Sequence, residues 1–199
     1  MEPVRLRLGE LPDEEIARRA ADVLLRGGVA LLPAEGVYGF HVSAASPAAV
    51  KRILELKGRS DRVGFIGLIA DPVDAARWAR VDAKVEGLML RYWPGALTIV
   101  LEALPEAPAV LCSERGTIAL RCPGVPFLRS TARRTGGPLL STSANAPGHP
   151  SAIRLEDAPS GVAELAVDGG ALSGTPSTLV RISGGEVEIL RPGAVRLED

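Results

Sequence analysis

Two cysteines and two histidines are all that 199 residues hold of those types, and each scarcity removes a class of function. Cys112 and Cys122 are too few for a disulfide framework and read as small buried hydrophobes. His41 and His149 have no metal-ligand spacing to each other or to a cysteine, which argues against a zinc site. No apolar run approaches the roughly 18 to 20 residues of a membrane span. The start, "MEPVRLRLGELPDEE", lacks the basic-then-apolar order of a signal peptide, so a cytoplasmic protein is expected. A net charge of −1 argues against a broad electrostatic grip on nucleic acid. The familiar nucleotide motifs are missing as well. Lys57 follows "KRILEL" rather than a glycine loop, and no G-x-G-x-x-G opens a helix. A Ser-His-Asp hydrolase is equally unsupported, because "STSAN" is not G-x-S-x-G and neither histidine has a signature neighbour.

What is present is a chain that is 46% hydrophobic, enough for one sizeable core, and a single domain over residues 1–199 is expected. Helical and strand patterns alternate. Pro12 to Arg26 carries Ile16, Ala20, Val23 and Leu24 on one helical face and stops at Gly27-Gly28. A strand follows over Val29 to Leu32. Ser46-Pro47 is an N-cap with proline at the first helical position, opening a helix through Lys57 that Gly58 closes. Asp71-Pro72 and Asp82 start two more helices near the strand-like "GFIGLIA". Ala96 to Ala103 and "TIALRCP" read as strands, "PFLRSTARRTGG" as a short helix, and "PLLSTSAN" as a strand entering a polar loop. The last part, "STLVRISGGEVEILRPG", reads as a hairpin about Ser183-Gly184-Gly185. The implied fold is α/β: a twisted mixed sheet with helices packed on it, in which the early units are crossovers and the late hairpin is antiparallel.

Polar residues recur at the strand ends. "PAEGVYG" follows the first strand, Arg121 closes "TIALR", Ser143 and Asn145 follow "PLLST", and Arg191 closes the last strand. One arginine alone is a surface residue and "STSAN" alone is a turn. Their recurrence points to one concave cleft at strand ends, rich in hydroxyls and guanidinium groups and suited to an anion such as phosphate.

The motifs "VALLPAEGVYGF", "KGR", "YWPGALTIVL", "TIALRCP", "PLLSTSANAPGHPS", "DGG", "STLVRI" and "LRPG", taken in order over about residues 15 to 193, resemble the YrdC-like family. The resemblance implies a twisted α/β sheet around a concave positive cleft. It also implies an enzyme, a nucleotidyltransferase that joins L-threonine, bicarbonate and ATP into threonylcarbamoyl-AMP and releases pyrophosphate. The product would serve the threonylcarbamoyl modification of adenosine 37 (t6A) in certain tRNAs, with tRNA or tRNA-modification proteins as partners and Mg2+ as the counterion of ATP. Related readings are a carbamoyl-adenylate or carbamoyl-transfer enzyme with another acceptor, and a non-catalytic relative that binds nucleotide or RNA.

Carried over position by position, Lys57 and Arg59 match the catalytic K-x-R, and Arg59, Thr117, Ser143, Asn145 and Arg191 match ATP-side positions. Arg121 matches the arginine that holds the amino-acid carboxylate, Ser177 and Tyr38 are assigned with it to amino-acid binding, and Ser177 and Thr178 match the end of the family's G-V-E-S-T segment, here "GTPST". The chain departs from the family pattern at Ala34 and Gly36, where threonines stand, at Val63, Gly64 and Leu68 after the K-x-R, and at Pro176 in place of glutamate. These departures predict an amino-acid pocket with fewer hydroxyl and imidazole partners and weak discrimination for threonine.

Overall fold

A computed structural model describes residues 2–58, 64–183 and 186–197. The chain runs β1 (Val4–Arg7), α1 (Asp13–Leu25), β2 (Ala30–Pro33), β3 (Tyr38–Ser43), α2 (Pro47–Leu56) and β4 (Ile66–Leu68). A 3-10 turn at Pro72–Asp74 leads into α3 (Ala75–Trp78), then α4 (Ala83–Tyr92), β5 (Leu97–Glu102), β6 (Thr117–Arg121), α5 (Pro126–Thr135) and β7 (Leu139–Ser143). β8 (Leu165–Asp168), β9 (Thr178–Ser183) and β10 (Glu186–Arg191) complete it.

The local signals explain the helices. Ser46 accepts the Ala49 N–H at 3.4 Å, with Pro47 at the first helical position, and Asp82 accepts the Val85 N–H at 2.8 Å. Asp13, Glu14 and Glu15 place negative charge on the first turn of α1, where the helix dipole favours it.

All ten strands join one sheet in the order β1-β8-β2-β3-β7-β4-β6-β5-β9-β10. Parallel and antiparallel ladders both occur, so the sheet is mixed as expected. One early unit is not a crossover. β2 and β3 pair antiparallel, with Pro33 opposite Tyr38, because the four residues between them are far fewer than the dozen or so a crossover needs. The sequence reading also passed over β1 and β8, each four residues long, and the six-residue β3.

Helices cover both faces. On one, α2, α3 and α4 pack Ile53, Trp78 and Met89 against Phe40, Ile99, Leu140 and Val180. On the other, α1 and α5 pack Ile16, Leu24, Phe127 and Leu128 against Leu32, Leu68 and Leu139. Each fully buried leucine or isoleucine contributes on the order of 1.5–3 kcal/mol relative to an exposed one. α1 and α5 shield only part of their face. Leu139 lies beneath them, whereas Ser141 and Ser143, two and four residues further along the same side of β7, reach an open cavity.

Candidate active site

The cavity has a volume of about 540 Å3. Its wall is not a single row of strand ends. The pairing senses put the carboxyl ends of β6 and β10 on the opposite edge of the sheet from those of β2 and β7. Glu35, after β2, nevertheless forms an ion pair with Arg121 at the end of β6. Those strands are four ladder positions apart, about 19 Å in a flat sheet, so the sheet curls to enclose the cavity.

Lys57 caps α2 and lines the cavity. Its Nζ donates to the Ser143 carbonyl (2.6 Å), to Asn145 Oδ1 (2.6 Å), to the Asn145 carbonyl (3.0 Å) and to Ser143 Oγ (3.4 Å). Asn145 is itself fixed, since its Nδ2 donates to the His149 carbonyl at 2.6 Å. The "STSAN" loop is therefore a cradle of oxygens about one ammonium. Arg59 lies outside the described residues, as does Val63.

Arg121 is 7% exposed and lines the far wall. Its Nε donates to the Gly95 carbonyl at 3.1 Å, and Gly95 N–H donates to the Cys122 carbonyl at 2.8 Å. The "YWPG" turn thus presents a carbonyl to Arg121. A Cβ at Gly95 would lie 2.5 Å from the Tyr92 carbonyl oxygen, so only glycine fits. Burial first, and then the Arg191 charge, pull the Arg121 guanidinium down to about 10, which leaves it cationic at neutral pH. Arg191 donates from Nη2 to the Ser177 carbonyl (2.9 Å) and to Ser177 Oγ (3.1 Å), and Ser177 Oγ also bonds Thr98 Oγ1 at 2.9 Å.

Tyr38, Thr117 and Thr178 have their hydroxyls engaged within the protein. Tyr38 borders the cavity but is fully buried, and its hydroxyl donates to the Gly170 carbonyl (2.8 Å) and accepts the Gly169 N–H (2.9 Å). Its hydroxyl is engaged in the "DGG" turn, so the structure does not offer it to a ligand. Thr117 starts β6, four residues from Arg121 and about 13 Å away by strand rise. It bonds Ser113 Oγ at 2.7 Å and does not line the cavity. Thr178 Oγ1 donates to the Val195 carbonyl at 2.7 Å and pins the segment after β10.

The departures also sort themselves. Ala34, Gly64 and Pro176 line the cavity. Leu68 is 2% exposed and turned into the α1/α5 core. Gly36 is covered by residues 173–175: its carbonyl accepts the Gly174 N–H at 2.8 Å, and a Cβ there would collide with the Thr175 carbonyl oxygen. The pocket expected to be rewritten at Ala34, Gly36 and Leu68 is thus altered at Ala34 alone among these three.

Sequence reasoning missed Ser141 and Ser151, which both line the cavity. Ser141 had a signal, because it shares a strand face with Ser143. Behind it, His41 is fully buried, with Nε2 at 3.2 Å from Ser141 Oγ. Burial lowers His41 to about 4, so it is neutral. Both cysteines are unpaired thiols. Among the described residues no group of three or more His, Cys, Asp or Glu could hold a metal, and no helix is long and apolar enough to cross a membrane.

Together these features define an α/β protein with a deep cationic cavity framed by hydroxyl and amide groups, suited to ligands that carry phosphate and carboxylate. Residues 22–193 match the Sua5/YciO/YrdC family profile, described as "Telomere recombination", and the chain belongs to that family. It is 38% identical over 141 residues to the threonylcarbamoyl-AMP synthase of Stenotrophomonas maltophilia, covering 69% of this chain and 76% of that protein. It is 36% identical over 194 residues to the Bacillus subtilis enzyme of the same name, covering 94% of this chain and 55% of the relative. The crystal structure of Pyrococcus abyssi Sua5 complexed with L-threonine superposes with a TM-score of 0.86 at 31% identity, covering 97% of this chain and 58% of that one. The chain thus spans little more than half the length of the latter two.

Proposed function

We propose that this protein is a threonylcarbamoyl-AMP synthase, acting as a single domain on L-threonine, bicarbonate and ATP and releasing pyrophosphate. The observation that supports the reading is that Lys57, Arg121, Arg191, Ser143, Asn145 and Ser177, matched to family positions at the level of sequence, line one cavity. The amine of threonine and bicarbonate condense to a carbamate with loss of water. A carbamate oxygen then attacks the α-phosphorus of ATP, and pyrophosphate leaves. Lys57 and Arg191 face the charge that develops on phosphate, and preorganised cations in a partly dry site are the main source of such stabilisation. Ser143 and Asn145 hold Lys57 in place. Arg121 takes the threonine carboxylate, and Ser177 and Ser141 supply hydroxyls beside it.

Mg2+ arrives with ATP in this reading. The described residues give it no cluster of protein ligands, so no step is assigned to it. The product then serves the t6A modification of tRNA, by transfer to tRNA or to a partner that carries out that step. The test is pyrophosphate release by the purified protein with ATP, bicarbonate and each of threonine, serine and valine. Release that needs both bicarbonate and threonine supports the assignment, and release indifferent to either removes it.

A further inference from the structure

Glu35 reaches Arg121 from across the sheet. It stands at the tip of the β2–β3 turn, which is closed by the Ala34 N–H bonded to the Val37 carbonyl at 3.1 Å. Its Oε1 accepts the Gly124 N–H at 2.7 Å, and its Oε2 presses against Arg121 Nη2. Arg121 is thereby held on two sides, at Nε by the Gly95 carbonyl and at Nη2 by Glu35. Nη2 is sealed from solvent. Among the described residues, Nη1 is left without a hydrogen-bond partner and is not sealed.

We infer that Glu35 is the positioning residue of Arg121: its carboxylate fixes the guanidinium so that Nη1 faces the cavity and meets the ligand carboxylate. The identity of that ligand as an amino acid rests on the proposed reaction. The fixing of Arg121 does not.

A competing arrangement would make Glu35 a stand-in for the ligand carboxylate, displaced when the ligand binds. The surroundings of the turn oppose it. Glu35 is anchored at Gly124, and its neighbour Gly36 is bonded to Gly174 and lies against Thr175. With the turn anchored at Gly36, the carboxylate could leave only by side-chain rotation, which would break its bond to the Gly124 N–H. It would also strand a guanidinium that burial already disfavours as a cation. An arginine held from two sides also loses less freedom when it binds a carboxylate, which is the advantage of a planar, preset fork.

Two measurements test this. In the first, wild type and Glu35→Gln are compared for turnover. Glutamine keeps an acceptor for the Gly124 N–H and the side-chain shape, and removes the charge. The amino-acid KM should rise on the order of 10-fold or more while the ATP KM stays near wild type, and the melting temperature should fall because the buried Arg121 charge loses its partner. Tighter amino-acid binding in the variant would make Glu35 a competitor and overturn the inference. The second needs no turnover. The Arg121 Nε–H signal in a 15N spectrum, assigned by its loss in Arg121→Lys, should exchange with water faster in Glu35→Gln and Glu35→Ala than in wild type. An unchanged Arg121 signal in both variants would overturn the positioning role. A wild type inactive with threonine but showing the faster exchange in the variants would remove the reaction and leave the positioning intact.

Discussion

Replacing Lys57 by methionine removes an ammonium held by two 2.6 Å bonds while keeping the apolar stem of the side chain. Hydrogen bonds to a charged group contribute on the order of 1.5–3 kcal/mol. Water can reach this half-buried site, so the expected stability loss is about 1–3 kcal/mol, or about 2–4 °C in Tm for each kcal/mol in a chain of this size. Even a protein with only about 5 kcal/mol of stability would keep about 2 kcal/mol and stay about 97% folded. Unfolding therefore cannot account for a large kinetic effect. If Lys57 stabilises charge during adenylation, kcat should fall about 100- to 1,000-fold, corresponding to about 2.7–4 kcal/mol at the barrier. Pyrophosphate release at saturating ATP and threonine, measured beside thermal unfolding, separates the two effects. Turnover within about 3-fold of wild type, at a loss of the expected stability, would refute the electrostatic role and leave Lys57 a clamp for the "STSAN" loop.

Tyr38→Phe leaves the Gly169 N–H without its acceptor, so urea unfolding should show a loss of about 1–3 kcal/mol while the threonine KM is unchanged; a raised KM at full stability would return Tyr38 to the ligand. Gly36→Thr should destabilise by about 1–3 kcal/mol through collision with the Thr175 carbonyl and should not sharpen selectivity, whereas Ala34→Thr, which borders the cavity, should improve threonine over valine; the opposite pattern in competition assays would contradict the placement. His41 is neutral in the fold with its pKa lowered to about 4, so the unfolded chain binds more protons between about pH 4 and 6.5 and stability falls as the pH drops through that window, by up to about 1.4 kcal/mol per unit. His41→Asn should flatten this slope in urea titrations at several pH values, and an unaltered slope would place its origin elsewhere.

What the sequence disclosed was mostly local chemistry. Ser46-Pro47 and Asp82 announce helix starts because the cap and the first turn lie within three residues of each other. The alternation of β5 and β6 shows which residues share a face, and thereby where Arg121 points. What stayed hidden depends on partners far along the chain. The Tyr38 hydroxyl is engaged by Gly169 and Gly170, the Glu35 carboxylate by Arg121 and Gly124, and the space above Gly36 by Thr175, and no spacing rule links those positions. β1 and β8 escaped because each is set by parallel pairing with a strand far along the chain, β1 with β8 and β8 also with β2. Leu68 was misplaced for a related reason. Its strand is visible in sequence, but whether its end lies under α1 and α5 or beside the cavity depends on how far those helices extend over the sheet.

The central claim is that this cavity joins a carbamate of threonine to AMP. It is tested most directly by mass spectrometry of the small molecules formed when the purified protein is given ATP, 13C-labelled bicarbonate and an equimolar mixture of amino acids. The account predicts one labelled adenylate bearing threonine, formed about 100- to 1,000-fold more slowly when Lys57→Met replaces the wild type. A labelled adenylate on a different acceptor, or ATP left intact beside a folded protein, would contradict it.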